Sequence, residues 1–223
     1  MNAKGNFPKL ALFDLDGTLL DSAPDMVATI NRMRERRGQG PMPLAELRPH
    51  VSRGSRAMSA AAFPELGGDV PDELVREFLD TYEYELGRHG QPFDGVPGLL
   101  DALEAAGGQW GIVTNKPEYL ARQLMPLLGW ETRCAVLVGG DTLPERKPHP
   151  LPLLHAAEML GIDVVDSTYV GDDARDIEAA RAAGMRSIVA LWGYRLPGER
   201  PAEWGGDVLV ESVPELLDPL RWP

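Results

Sequence analysis

The sequence predicts an α/β protein that combines a parallel sheet with a separate block of helices. Three observations lead to this fold class. The apolar run Leu10–Phe13 lacks the alternation of a half-exposed strand, which is typical of a strand covered on both faces. From residue 110 onward, apolar strand patterns alternate with helical patterns, as they do in β-α-β units. Residues 22–90 show helix signals and no convincing strand.

Composition narrows the class of protein further. The 223 residues are 43% hydrophobic and 25% charged, which is typical of a folded globular protein. The net charge of −12 argues against general binding of nucleic acid or of an anionic membrane. No apolar run approaches the roughly 20 residues of a membrane-spanning helix. Cys134 is the single cysteine and residues 1–9 lack the apolar centre of a signal peptide, which favours a cytoplasmic location.

The helical region directly follows the first strand. Its first helix has Ser22 as a candidate N-cap and Pro24 in its first turn, and it ends by Gly38. The apolar positions at helical spacing are Met26, Val27, Ile30 and Met33. Further helical segments are predicted at 44–47, 54–63 and 72–86. Because this block interrupts the α/β pattern, we expect it to stand over the strand ends as a lid.

The remaining chain supplies the rest of the sheet. Strands are predicted at 110–114, 134–138, 168–170, 187–191 and 208–210. Helices are predicted from 99 to 106 and at 117–128, 150–160 and 174–183. Residues 192–207 are rich in Gly and Pro and predict an irregular loop.

Two carboxylates follow the first strand at Asp14 and Asp16. Two residues of extended chain return the side chain to the same face, so both carboxylates could address one bound group. An ordinary Asp-Gly turn with a Thr cap would use the same residue types, but it rarely places two acids on one face beside a hydroxyl. We interpret Asp14 as a nucleophile, Asp16 as a proton shuttle and Thr18 as a phosphate ligand.

The run Asp14-Leu15-Asp16-Gly17-Thr18 resembles the DxDGT signature of the haloacid dehalogenase (HAD) superfamily, whose phosphatases pass through an aspartyl-phosphate. Three later segments match the remaining motifs of that superfamily in order. They are Thr114 at the end of a predicted strand, Lys147-Pro148-His149-Pro150, and Gly171-Asp172-Asp173-Ala174-Arg175-Asp176. The resemblance covers nearly the whole chain, so coincidence is a poor explanation for it.

Each later motif also has an ordinary interpretation. Thr114 and Asn115 could be helix caps, or they could bind a phosphate together with the free N–H groups of the next helix. Lys147 could be a solvated lysine, or it could lie beside Asp14 and keep that carboxylate ionised. The resemblance implies that Asp14, Asp16, Thr114 and Lys147 are catalytic, and we predict that Thr18 and Asn115 bind substrate.

The acidic run at 172–176 could favour a helix N-terminus through the helix dipole alone. Convergence of these acids with Asp14 and Asp16 would instead require a cation between them, and hard oxygen ligands suit Mg²⁺. By resemblance, the metal ligands are Asp14, the backbone carbonyl of Asp16, and Asp172. Asp173 and Asp176 would support them from behind.

Within the superfamily, the helical insert resembles the four-helix cap of the phosphoglycolate phosphatase and β-phosphoglucomutase group. This implies a HAD-like Rossmannoid core at 1–20 and 92–223 and a cap at 21–91. A finer resemblance is to bacterial N-acetylmuramate 6-phosphate phosphatases, which are often labelled phosphoglycolate phosphatases. It is carried by 51–58, 110–117, Trp192-Gly193-Tyr194 and Trp204-Gly205-Gly206-Asp207.

The predicted cap carries local positive charge. Residues 31–56 contain seven Arg and two Glu, although the whole chain is acidic. Arg53 and Arg56, beside Gly54, are candidates for binding the non-reacting part of an anionic substrate, because guanidinium groups match carboxylates. For four further arginines we prefer a solvated basic helix face; these are Arg32, Arg34, Arg36 and Arg37.

The predicted function is a Mg²⁺-dependent phosphomonoester hydrolase that acts on a small phosphorylated metabolite, 2-phosphoglycolate or N-acetylmuramate 6-phosphate, as a monomer or dimer. A sugar phosphomutase shares every core motif and stays open as an alternative. A haloacid dehalogenase would need neither Asp16 nor a metal. A phospho-accepting signalling domain would have no reason for a cap.

Overall fold

The structure, a computed structural model, describes residues 7–223. Residues 1–6, which begin the predicted core and the segment predicted to lack a signal peptide, lie outside the described residues. In chain order the strands are β1 (Leu10–Phe13), β2 (Leu20–Asp21), β3 (Gln91–Pro92), β4 (Gln109–Val113), β5 (Val136–Val138), β6 (Ser167–Gly171), β7 (Arg186–Ala190) and β8 (Val208–Val210). The helices are α1 (Ala23–Glu35), α2 (Leu44–Leu47), α3 (Gly54–Ala62), α4 (Asp72–Glu85), α5 (Val96–Ala105), α6 (Glu118–Leu128), α7 (Leu151–Leu160) and α8 (Ala174–Ala183).

Six strands form one parallel sheet in the order β5-β4-β1-β6-β7-β8. Side chains on its central strand β1 are buried on both faces. Ala11 and Phe13 belong to one apolar cluster, whereas Leu10 and Leu12 belong to a second cluster on the other side. The apolar run without alternation is therefore a strand covered on both faces, as predicted, and the predicted fold class is confirmed.

The strand order fixes where a ligand can bind. Strand β1 lies between β4 and β6. The chain adds β4 and β5 on one side of β1 and then β6, β7 and β8 on the other side. Crevices at the carboxyl ends of strands form at such a topological switch point. The residues that follow β1, β4 and β6 are Asp14, Thr114 and Asp172, so the fold itself brings three of the four motifs together.

The helices α1 to α4 stand between β2 and β3. Helix α1 packs along α4, and α3 packs on both α4 and a 3₁₀ helix at Arg48–Arg53. A two-residue antiparallel ribbon, in which Leu20 pairs with Pro92 and Asp21 with Gln91, joins the two crossings between this block and the sheet. The sequence did not predict this ribbon, because two residues are too few to show periodicity.

A buried aspartate holds the chain where it returns from the helical block. Asp25, in the first turn of α1, is fully buried. Its Oδ1 accepts the N–H groups of His89 at 2.7 Å and Gly90 at 3.1 Å, and its Oδ2 accepts that of Gly87 at 2.9 Å. Backbone donors buried at a bend need such acceptors, so Asp25 fixes the start of α1 against the end of the block.

Two local predictions differ from the structure. Ser22 occupies the N-cap position of α1, but its buried hydroxyl makes no hydrogen bond within residues 7–223, and Ala23 N donates to the hydroxyl of Tyr194 at 3.0 Å instead. The arginines of α1 are not simply solvated. Arg32 pairs with Glu85, and Arg36 and Arg37 pair with Glu77, so this face binds the acids of α4. Arg34 donates to the carbonyl groups of Gly40 and Ala62.

Most helix and strand bounds agree with the sequence to within two residues. Helix α5 begins at Val96, three residues before the predicted start at 99, because Pro97 is accommodated in its first turn. None of the helices in the described part of the chain has the length and apolar character needed to cross a membrane.

Candidate active site

Asp14 and Lys147 meet at the carboxyl end of β1. The Nζ of Lys147 lies 3.0 Å from Oδ1 of Asp14, and Leu15 N also donates to Oδ1 at 2.8 Å. The hydroxyl of Tyr169 accepts a hydrogen bond from Lys147 Nζ at 2.7 Å and donates to the carbonyl of Val113 at 2.7 Å. Burial opposes the charge of Lys147, but the charges of Asp14 and Asp176 outweigh it and raise its pKa. The site thus holds a charged ammonium against the predicted nucleophile.

Three carboxylates form a buried cluster beside this pair. Ligand atoms of Asp14, Asp172 and Asp176 lie within 4.8 Å of one another. Burial and the charges of Asp14 and Asp176 raise the pKa of Asp172 well above its usual range. Burial also raises the pKa of Asp176 to about 6, although Lys147 Nζ lies 2.8 Å from Oδ1 and lowers it. One ammonium does not balance three carboxylates, so this donor set fits a divalent metal.

The chain is shaped closely around Asp172. A Cβ on Gly17, which has φ +93°, would lie 2.3 Å from Oδ2 of Asp172, and a Cβ on Gly193 would lie 2.2 Å from its Cβ. The amide of Tyr194 donates to Oδ2 at 2.8 Å, and the hydroxyl of Thr18 donates to Oδ1 at 3.1 Å. Thr18 is fully buried and binds the carboxylate, so the structure places this predicted phosphate ligand beneath the site.

Asp16 lines the cavity, and Lys116 holds its carboxylate. Both of its carboxylate oxygens accept hydrogen bonds from Lys116, whose Nζ also donates to Tyr82 of α4 at 2.6 Å. Burial and the charges of Asp16 and Asp25 raise the pKa of Tyr82 well above its usual range, so the phenol is neutral. The sequence offered no signal for Lys116 beyond its position after Thr114 and Asn115.

Thr114 and Asn115 end β4 and belong to the same cavity. The hydroxyl oxygen of Thr114 accepts the amide of Lys116 at 3.2 Å. The side-chain nitrogen of Asn115 donates to the carbonyl of Lys147 at 2.9 Å, and its Oδ1 is buried without a hydrogen-bond partner in the described structure. Asn115 therefore ties the Lys147 segment to β4. Its free oxygen is the part of the side chain that remains available.

The helical block contacts the acidic cluster directly. Ser52, in the 3₁₀ helix before α3, donates its hydroxyl to Oδ2 of Asp172 at 2.9 Å, and its carbonyl accepts from Arg175. Arg53 Nε lies 3.6 Å from Oδ2 of Asp173, and its guanidinium also binds Glu199. Arg56 binds Asp72 at 2.5 Å and the carbonyl of Val70, both within the block. Of the two predicted arginines, Arg53 alone binds acids of the sheet region.

Asp173 lies outside the acidic cluster. It is the N-cap of α8, where its Oδ1 accepts the N–H of Arg175, while its own backbone N–H donates to Oδ2 of Asp176. Burial opposes ionisation of Asp173, but its bond and charge contact with Arg175 lower its pKa. The structure thus assigns Asp173 to helix capping and to the contact with Arg53, and Asp176 to the cluster with Lys147.

A cavity of about 540 Å³ opens over these groups, between the sheet and the helical block. Its floor includes Asp14, Asp16, Thr114 and Lys147. Besides Lys147, five basic side chains line it: Arg53, Arg56, Lys116, Arg146 and Arg175. Its apolar wall is formed by Met26, Val51, Val75, Phe78, Leu79, Tyr82 and Leu120. The cavity therefore offers a reacting end, several cations and an apolar surface to a single ligand.

Comparison with known proteins identifies the family to which this chain belongs. The family model described as haloacid dehalogenase-like hydrolase matches residues 11–190. A phosphoglycolate phosphatase of Xanthomonas campestris pv. campestris (strain 8004) is 61% identical over 97% of this chain and 98% of its own. An N-acetylmuramic acid 6-phosphate phosphatase of Pseudomonas aeruginosa PAO1 is 46% identical over 95% and 94%.

Structural comparison agrees with these relatives. The crystal structure of a predicted phosphoglycolate phosphatase from Haemophilus somnus 129PT has a TM-score of 0.81 and 26% identity, and the match covers 94% of this chain and 96% of that one. The chain belongs to the haloacid dehalogenase-like hydrolases and, within that family, is a phosphatase, as its motifs predict.

Proposed function

We propose that the chain is a Mg²⁺-dependent hydrolase of phosphate monoesters that acts through a phosphoryl group transferred to Asp14. The observation that carries this proposal is the contact of Lys147 with both Asp14 and Asp176 beside Asp172, at the floor of a cavity. A desolvated carboxylate beside a fixed cation is suited to nucleophilic attack on phosphorus. The single cysteine favours a cytoplasmic setting.

The reaction divides between two carboxylates. Oδ1 of Asp14 is occupied by Leu15 N and Lys147 Nζ, which leaves Oδ2 as the attacking oxygen. Asp16 would protonate the leaving oxygen and then take a proton from the water that hydrolyses the acyl-phosphate. Because both residues line the cavity at the end of one strand, attack and protonation can occur on the same ester.

Several groups would stabilise the charge of the transferring phosphoryl group. Lys147, the hydroxyl of Thr114 and the backbone N–H groups after β4 are all directed by the fold to this edge of the sheet. Asp14, Asp172 and the backbone carbonyl of Asp16 would hold Mg²⁺, with Asp176 behind them. When bound, the ion would supply positive charge to the phosphoryl oxygens. Thr18 and Ser52 would orient Asp172 by donating to its two oxygens.

We further propose that residues 21–91 act as a cap over a core formed by 1–20 and 92–223. The short ribbon of β2 and β3 would be the hinge, since both crossings of the chain pass through it. Arg53, Ser52 and Tyr82 are the contacts that would seat the cap on the sheet. A seated cap would exclude water from the phosphoryl transfer and contact the part of the substrate beyond the phosphate.

The names of the relatives suggest two candidate substrates. The cavity favours N-acetylmuramate 6-phosphate, because about 540 Å³ with an apolar wall suits a substituted sugar that also bears a carboxylate. Arg53 lines the cavity and would bind that carboxylate, and the apolar wall would contact the acetyl group. The two-carbon 2-phosphoglycolate would leave most of the wall uncovered, and it is supported by the name of the 61% identical relative.

The test is a comparison of kcat/KM for N-acetylmuramate 6-phosphate, 2-phosphoglycolate and glucose 6-phosphate with the wild-type protein. We expect N-acetylmuramate 6-phosphate to be preferred, and glucose 6-phosphate to be poor because it lacks the carboxylate. Preference for 2-phosphoglycolate would support the second substrate. Absence of phosphate release from any phosphomonoester, including p-nitrophenyl phosphate, would contradict the proposed reaction.

A further inference from the structure

Lys116 is buried at the junction of the sheet and the helical block. Its Nζ lies 3.1 Å from Oδ1 and 3.2 Å from Oδ2 of Asp16, and 2.6 Å from the hydroxyl of Tyr82. The side chain is only 2% exposed. A buried lysine is held by specific partners, so these contacts define its environment.

Lys116 contacts the sheet through its backbone and the helical block through its side chain. On the sheet side, Lys116 N donates to Thr114 Oγ1 at 3.2 Å, which ties the lysine to the end of β4. On the cap side, Nζ lies 4.3 Å from the ring centroid of Tyr82, and that ring stacks on Phe78 of the same helix. Tyr82 belongs to α4, so its hydroxyl and ring reach Nζ only when α4 lies over the sheet.

We propose that Lys116 is a positioning residue for Asp16 and that Tyr82 is its anchor in the cap. Contact with both oxygens fixes the plane of the carboxylate. When Asp16 is protonated, one oxygen still accepts from Nζ, and the other transfers its proton to the leaving oxygen as the ester bond breaks. Lys116 takes no part in this proton transfer. The orientation of the proton donor thus depends on the seating of α4.

This inference rests on the proposed function, because it requires Asp16 to protonate the leaving group. The experiment therefore varies the leaving group. p-Nitrophenol leaves as a stabilised anion and needs little protonation, whereas the alkoxide of β-glycerophosphate needs a proton. The measured quantity is kcat/KM, which reports the steps up to departure of the leaving group and is independent of the later hydrolysis of the acyl-phosphate.

Four variants separate the outcomes. Because general acid catalysis contributes roughly 10²- to 10⁴-fold, we expect Lys116→Met to lose at least about tenfold more kcat/KM on β-glycerophosphate than on p-nitrophenyl phosphate. Tyr82→Phe keeps the ring and should show the same selectivity to a smaller extent. Asp16→Asn should show it most strongly. Lys9→Met removes a lysine whose ion pair with Asp166 is exposed, and it should change neither value.

Equal losses on the two esters in Lys116→Met, or in Tyr82→Phe where Lys116→Met does not fold, together with a selective loss in Asp16→Asn, would overturn the positioning role of Lys116. A nonselective loss in Asp16→Asn would instead overturn the proposed role of Asp16 and, with it, this inference. Because Tyr82→Phe is nearly isosteric, it decides the question even where Lys116→Met does not fold.

Discussion

The ammonium nitrogen of Lys147 lies 3.0 Å from Oδ1 of Asp14, and both side chains are buried at the carboxyl end of the central strand. The same nitrogen lies 2.8 Å from Asp176, so one cation is shared by an acid that follows β1 and an acid of α8, which follows the neighbouring strand β6. A buried charge that lacks a partner is costly. This lysine therefore serves both the fold and the chemistry of the site.

Lys147→Met tests that double role. The variant leaves three buried carboxylates without their cation, so the free energy of unfolding should fall by about 3–5 kcal/mol at neutral pH, and turnover should be lost. Urea unfolding in the presence of chelator measures the first effect. Lys9→Met, which removes an exposed pair, should change stability by less than about 1 kcal/mol. Wild-type stability and turnover in Lys147→Met would contradict the geometry described for this site.

The acidic cluster predicts a response to Mg²⁺ that does not depend on activity. Binding to the folded state alone should stabilise the protein by about 2.7 kcal/mol at a concentration one hundred times Kd, measured as a rise in the thermal midpoint. Asp172→Asn should abolish most of this rise, whereas Asp80→Asn, on the exposed surface of α4, should leave it intact. Chelator should abolish turnover. A thermal midpoint and a turnover rate that are both indifferent to divalent metal would rule out the proposed site.

Substrate choice should depend on Arg53 more than on Arg56. Arg53 faces the cavity at its contact with the sheet region, whereas the guanidinium of Arg56 is bound within the block. Arg53→Ala should lower kcat/KM for the preferred anionic substrate by the equivalent of about 1.5–3 kcal/mol and spare p-nitrophenyl phosphate. Arg56→Ala should have a smaller effect. An equal loss on the two esters in Arg53→Ala would show that this residue holds the cap or serves the core rather than selecting substrate.

The single cysteine gives a pH dependence with a defined sign. Burial raises the pKa of Cys134 to about 11, so the unfolded chain releases this proton at lower pH than the folded protein. The thiol therefore contributes stability at pH values below its pKa in the unfolded chain. This contribution is lost as pH rises from that value to the pKa of the folded protein, about 11.

The comparison that isolates this effect is the wild type against Cys134→Ala. The difference in their free energies of unfolding should shift against the wild type by about 1.4 kcal/mol between pH 8 and pH 10. Urea unfolding at the two pH values measures it. A difference that is independent of pH would show that the thiol of Cys134 titrates normally in the folded protein.

The sheet and the site motifs could be predicted because each had a local physical signature. The uninterrupted apolar run of β1 indicated burial on both faces, and the acids or hydroxyl that followed β1, β4 and β6 marked the edge where parallel strands end. Lys147 needed the motif resemblance, since a lysine in a loop has no signature of its own.

What could not be predicted depends on pairings that are distant in sequence. The β2–β3 ribbon, the capture of three N–H groups by Asp25 and the contact of Lys116 with Asp16 each join residues that no local pattern connects. We expected the arginines of α1 to lie in solvent. They instead pair with acids of α4, the last helix of the same block. Such partners become visible only once the helices are packed.

Phosphoryl transfer to Asp14 is tested most directly by trapping the phosphorylated enzyme during turnover. Acid quenching preserves an acyl-phosphate, and peptide mass spectrometry can then locate the phosphoryl group. We expect a phosphoryl group on Asp14 in the wild type and none in Asp14→Asn, which should fold normally and lack turnover because an amide cannot attack phosphorus. Near-normal turnover by folded Asp14→Asn, or a trapped phosphoryl group on another residue, would contradict a covalent role of Asp14.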